Sequence, residues 1–190
     1  MLRKMEQEIP NENYITYEQM NIIIAFQKLW LKIAIWFRTY MRSAIYDTRD
    51  KSHVANYLTV LPHEFYPMFN MFYGSTIAQN IADFMLNFIK SAMTVVEYKR
   101  YGEEGLTNSS IMEWYQSADR LSSYLAKVNV YWDENQWKFL LYQYIRLKSD
   151  GISALINDDY DKEIELYNEI DNIIFLMGSY MARGIISYNS

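Results

Sequence analysis

Between about Gln19 and about Asp47 the chain places apolar residues at Ile22, Phe26, Leu29, Ile33, Trp36 and Tyr40, in alternating steps of four and three. That spacing belongs to a helix lying lengthwise on other helices, and it is incompatible with the two-residue alternation of a strand. Three or four later segments carry comparable seams. The whole sequence has only 6 Gly and 3 Pro, too few breaks for a many-turned β architecture. The expectation is an all-α protein, an antiparallel bundle of four to five long helices.

Residues 1–17 read as an irregular polar tail, with Pro10 and the Asn11-Glu12-Asn13 run opposing a packed helix. Residues 18–190 form a single domain, interrupted at about 48–74 by an aromatic connector with short helical turns. Val54, Tyr57, Leu58 and Leu61 fit one such turn, Pro62 and Pro67 break the next stretch, and Phe65, Tyr66, Phe69, Phe72 and Tyr73 crowd its end. A second long helix opens at Gly74, capped by Ser75 or Thr76, and ends at Tyr101-Gly102. Thr107 or Asn108 caps a third helix. Asp133 with Gln136 has capping-box spacing and starts a fourth, with Trp137, Leu140, Tyr144, Leu147, Gly151 and Leu155 on its seam. After a turn at Asn157-Asp158-Asp159 the last helix carries Leu166, Ile170, Ile173, Met177, Tyr180 and Gly184, and finishes near Ser187.

The formal charge of −5 and scattered basic residues oppose a nucleic-acid partner, because phosphates need concentrated Lys and Arg. Zero Cys excludes disulfides, thiolate metal sites and a cysteine nucleophile. The N-terminal residues show positive charge without an apolar stretch behind it, so no secretory signal is read and a cytoplasmic location is expected. Ile22 to Phe37 is apolar enough to evoke a membrane span. Lys28 and Lys32 lie one turn apart opposite the seam, however, and the reading is no membrane.

Helical bundles of this size hold paired metals with Glu and Glu-x-x-His motifs aimed inward. No Glu-x-x-His occurs, and the seam midpoints read Ile33, Phe88, Tyr144 and Ile173. No catalytic residues, cofactor or metal are therefore assigned. The only improvised metal set is Asp50, His53, His63 and Glu64 in the connector, whose ordinary reading is solvent-facing or hydrogen-bonded side chains. Acids at Asp158, Asp159 and Asp161 suit the positive end of a helix better than a calcium loop, which needs a Gly and a distant Glu. Trp114-Tyr115 with Asp119-Arg120 is the densest mixed cluster, though adjacent helical residues face different ways. Tyr40, Phe88, Tyr144 and Tyr180 could border an aromatic pocket for a small molecule.

Leu29-Trp30 followed by Trp36-x-Arg38, Phe65 with Phe72-Tyr73-Gly74, Trp114-Tyr115 with Ala118-Asp119, Tyr131-Trp132 with Trp137-Lys138, and Met181 with Gly184-Ile185 together resemble a family of uncharacterised helical-bundle proteins of Gram-positive anaerobes. The resemblance implies an architecture similar to ferritin-like bundles, with histidines on facing helices at the positions held here by Ile33, Phe88 and Tyr144, and an acid where Ser179 stands. It thus implies a member that has lost the inward metal site. Some relatives bear kinase-like names, yet no phosphate-cradling loop supports that chemistry here. The leading expectation is a non-catalytic protein acting by self-association, most simply as a homodimer, or by docking a protein partner; a degenerate ferritin-like metal binder and a small-molecule binder are the alternatives.

Overall fold

The computed structural model describes residues 15–188, and among them it is helical throughout, with no strand. The expected tail at 1–17 falls almost wholly outside the described residues. Five long helices, α1 (Tyr17–Ile45), α4 (Ser75–Arg100), α5 (Glu104–Val128), α6 (Glu134–Ile156) and α7 (Tyr160–Tyr188), carry most of the chain. Between α1 and α4 lie α2 (Lys51–Val60), a 3-10 turn (Leu61–Phe65) and α3 (Tyr66–Tyr73).

Helix α1 starts earlier than its apolar pattern announces. The Thr16 hydroxyl accepts from the Gln19 N–H at 3.2 Å, while the Gln19 side chain accepts from the Thr16 N–H at 3.1 Å, a reciprocal cap that satisfies two otherwise orphaned donors. Its buried line is Phe26, Trp30, Ile33, Phe37, Tyr40 and Ala44. Relative to the expected seam the helix is turned so that Trp30 and Phe37 go deep, while Ile22, Leu29 and Trp36 sit at the flank. Trp36 is taken instead by α2, where Tyr57 meets it edge-on at 4.4 Å.

Helix α1 runs antiparallel to α7: Gln27 donates to Ser179 at 2.8 Å, whereas Arg38, three turns on, reaches Glu163. The approach is close enough that a Cβ on Gly178 would lie 2.6 Å from the Gln27 Cα, so only glycine fits. Helix α7 also packs on α6, α6 on α5, α5 on α4, and α4 on α1. One continuous core threads all of them and contains four fully buried tryptophans, Trp30, Trp114, Trp132 and Trp137. The last helix's seam runs through Ile174, fully buried, with Ile173 beside it.

The connector is a filled crossover from α1 to α4. Phe65 and Phe69 insert against Phe26 (ring centroids 6.2 and 5.4 Å), and Phe69 and Tyr73 continue the aromatic contact to Trp132 (6.3 and 5.9 Å). Pro62 and Pro67 do not break it; each occupies the first turn of its helix, where the missing N–H costs nothing. Helix α4 begins after Gly74 at φ 79 without a side-chain cap, in place of the expected Ser75 or Thr76 bond, and α5 begins at Glu104, which puts Thr107 inside its first turns and buries it. Where the local signals are strongest the expectations match. Gly102 at φ 72 follows α4, and the Asp133 carboxylate accepts from the Gln136 N–H at 2.8 Å. Among the described residues, α1 is the one helix whose length and apolar composition would suffice to cross a membrane.

Candidate functional site

The four connector residues considered for a metal do not form one cluster, although Asp50 and His53 are near enough to interact electrostatically. Asp50 accepts hydrogen bonds from the Thr48 hydroxyl at 2.5 Å and the Ser43 hydroxyl at 3.2 Å, and the Thr48 bond holds its carboxyl below the usual range. Glu64 is engaged by Lys32 Nζ at 2.6 and 2.8 Å, and His53 and His63 are exposed on α2 and the following turn. Among the described residues no group of three or more His, Asp or Glu is arranged to hold a metal ion.

The expected aromatic pocket resolves into packed rings. Tyr40 is buried and donates to Glu97 at 2.7 Å; burial and that carboxylate push its phenol above the ordinary range. Phe88 and Tyr144 lie 6.1 Å apart with Trp114 against both (5.8 and 6.5 Å), and Phe37 links Trp114 to Tyr40. Tyr180 stands elsewhere, its ring 5.1 Å from Trp137 and its hydroxyl accepting from the Asp133 N–H at 2.6 Å. The cluster around Trp114 likewise separates. Trp114 points inward, Asp119 accepts from the Tyr142 hydroxyl at 2.6 Å, and Arg120 pairs with Glu113.

Charged chemistry instead gathers where α1, α6 and α7 meet. Glu163, in the first turn of α7, is 3% exposed and is gripped by Arg38 through two parallel bonds of 2.6 and 2.5 Å, with Arg42 at 3.9 Å. The Arg38 guanidinium also lies 4.3 Å from the Tyr167 ring centroid. Against the same ring lies Lys148 of α6, 1% exposed. Its ammonium nitrogen lies 5.2 Å from the Tyr167 ring and 5.6 Å from each of Phe37 and Tyr144, and its one hydrogen bond, to the Ala34 carbonyl, is long at 3.5 Å. It makes no ion pair with any described residue. Burial drives its pKa from 10.5 down to about 7, with Glu163 and Asp171 opposing and Arg38 reinforcing the drop. One carboxylate oxygen of Asp171, a turn beyond Tyr167, is itself buried without a hydrogen-bond partner.

Arg38 and Tyr167 form one wall of an open groove of about 1100 Å³ running toward the α1–α2 turn. Arg42, Arg49, Ile35 and Tyr46 continue its cationic and apolar lining, with Thr39, Ser43, Thr48 and one carboxylate, Asp50, which the Ser43 and Thr48 hydroxyls occupy. Three of the chain's eight arginines therefore converge on one concavity of an acidic protein. Arg38 and Arg42 are one helical turn apart, so that part of the site was available from spacing. Lys148 also had a signal: it falls one turn after Tyr144, at an inward register of α6 where a lysine is out of place. No protein-family model, curated protein or solved structure matches this chain, so the likeness to the helical-bundle family rests on the residues quoted for it.

Proposed function

We propose that this protein acts by binding, and that its ligand is a small anion with an apolar body seated in the α1–α7 groove. The observation that carries the reading is the convergence of Arg38, Arg42 and Arg49 with Ile35, Tyr46 and Tyr167 around about 1100 Å³, in a molecule whose net charge is −5. Arg38 is committed to Glu163, while Arg49 makes no hydrogen bond or ion pair with any described residue and is available to a carboxylate or phosphate fork. The five long helices serve as the scaffold, an antiparallel bundle of ferritin-like general architecture. Connections of only three to five residues from α4 through α7 support that arrangement. Isothermal titration with aryl carboxylates and phosphorylated heteroaromatics tests the reading. Saturable binding that Arg42→Ala/Arg49→Ala weakens about tenfold or more supports it. Binding unaffected by that double variant, or no binding by either class, removes it.

A second reading, self-association as a homodimer, is favoured by the outer face of α1. Tyr17, Met20, Ile24 and Ile35 are exposed along that helix, and only 28% of its most apolar 18-residue window is buried within the chain. Sedimentation equilibrium of the wild type against Ile24→Lys is decisive: a dimer that the lysine dissociates supports the reading, and a monomer at all concentrations sinks it.

A further inference from the structure

The groove and the buried amine are neighbours. Tyr167 lines the groove with Arg38 stacked on its ring, and Lys148 Nζ lies against that same ring; Ala34, whose carbonyl the amine approaches, immediately precedes Ile35 on the groove wall. Tyr167 is thus the side chain that touches both the amine and the groove. The Tyr167 hydroxyl has no hydrogen bond to a described residue, so its ring is held by packing and by Arg38 alone. A lysine packed on Phe37, Tyr144 and Tyr167, without an ion-pair partner, has little to hold a proton on it. Desolvated amines of this kind are the ones that add to carbonyls at neutral pH.

We propose that Lys148 is a carbonyl-reactive amine and that the groove's ligand is an anionic aldehyde or 2-oxoacid, whose charged group docks on Arg42 and Arg49 while its carbonyl reaches Lys148 when Tyr167 swings outward. This rests on the groove being the binding site. In the reaction the Nζ lone pair attacks the carbonyl carbon and forms the C–N bond. The carbonyl oxygen leaves as water, carrying away the two amine hydrogens, and the product is a neutral imine. No oxidant or reductant is needed. Glu163 and Asp171, one turn either side of Tyr167, are the carboxylates that act on the amine, and the buried, unpartnered oxygen of Asp171 is free to take up a proton during that loss.

The test uses the full chain with pyridoxal 5′-phosphate as probe, followed by borohydride reduction and peptide mass mapping. One reduced adduct at Lys148 is expected, formed at neutral pH with a rate that climbs to a plateau above about pH 7. Arg38, Glu163, Tyr167 and Asp171 from α1 and α7, with Tyr144 from α6 itself, are the charged and titratable groups facing the amine, and variants of the charged ones shift that midpoint. Lys148→Met abolishes the adduct, and Tyr167→Ala, which opens the wall, speeds its formation. Labelling confined to exposed lysines, at a rate equal in wild type and Lys148→Met, overturns the proposal. Parallel titration with pyridoxamine 5′-phosphate, which has the phosphate but no carbonyl, separates the two readings. Arginine-dependent binding of the amine without labelling at Lys148 leaves the groove and removes the reactive lysine. Labelling at Lys148 unchanged by Arg42→Ala/Arg49→Ala overturns the proposed docking of the anion.

Discussion

Replacing Lys148 with methionine keeps an unbranched apolar stem that ends where the lysine Cε stands, and removes the amine. The ordinary lysine pKa of 10.5 applies to the unfolded chain, and the folded value is about 7. Between those two pH values the unfolded chain binds the proton and the folded chain does not, so wild-type stability rises with pH across the window. At about 1.4 kcal/mol per pH unit, burying this amine costs the wild type about 5 kcal/mol at and below pH 7, and nothing by about pH 10.5. The methionine variant escapes that cost. It forfeits the 3.5 Å bond to the Ala34 carbonyl and the packing of the amine against three rings, together about 2 kcal/mol. The expected net effect is a stabilisation of about 3 kcal/mol at pH 6 to 7, shrinking as pH rises and changing sign before pH 10. Urea unfolding followed by circular dichroism at pH 6, 7, 8 and 9, with equal m-values in both proteins, measures it. A variant less stable than wild type at pH 7, or a gap that does not change with pH, would refute the reasoning.

Breaking the Arg38–Glu163 pair from one side leaves a carboxylate buried without its fork, so Arg38→Met lowers stability by about 3 kcal/mol or more in denaturant titrations, and Arg38→Met/Glu163→Leu recovers most of the loss. Gly184→Ala forces its new methyl into the Trp132 indole, which is fixed by donating to the Met181 carbonyl at 3.3 Å; a loss of about 3 kcal/mol and quenching or shift of tryptophan fluorescence are expected. Gly151→Ala, whose Cβ would meet only the Met41 methyl at 3.7 Å, is the control and changes stability by less than about 1 kcal/mol. Exposed His53 and His63 can both become alanine with a change within about 0.5 kcal/mol, and stoichiometric zinc leaves the melting temperature of the wild type unmoved; a rise that the double variant abolishes would reinstate a connector metal site.

What could be read from sequence divides along the range of the interaction responsible. The α4 stop at Gly102, the α6 start at Asp133 and the turn at Asn157–Asp159 are each decided within about four residues, and each was legible. The cap at Thr16 obeys the same local rule but precedes Tyr17 and Glu18, so an apolar pattern alone does not reach it. The rotation of α1 is different in kind. Ile22, Leu29 and Trp36 make as good a seam as Trp30, Phe37 and Ala44, and only the positions of α2, α4 and α7 decide which line is buried.

The candidate site was harder because its members are chosen by opposing signals. Seam midpoints filled by Ile33, Phe88 and Tyr144 read as empty of chemistry; all three are buried, and Phe88 and Tyr144 are in ring contact. The titratable residues sit one turn from other seam positions: Lys148 a turn beyond Tyr144, and Glu163 a turn before Leu166, each on an inward register and each 1 to 3% exposed. A lysine or glutamate at such a register contradicts the pattern around it, and burial then requires a partner or the loss of a proton. Glu163 meets the first condition through Arg38, which lies 125 residues away in sequence and could not be paired with it by spacing. Lys148 meets the second. The contrast between a charge that is neutralised by a distant arginine and an amine that is left among rings is what separates a structural ion pair from a reactive group, and here that arginine and that amine lie against the same ring, Tyr167.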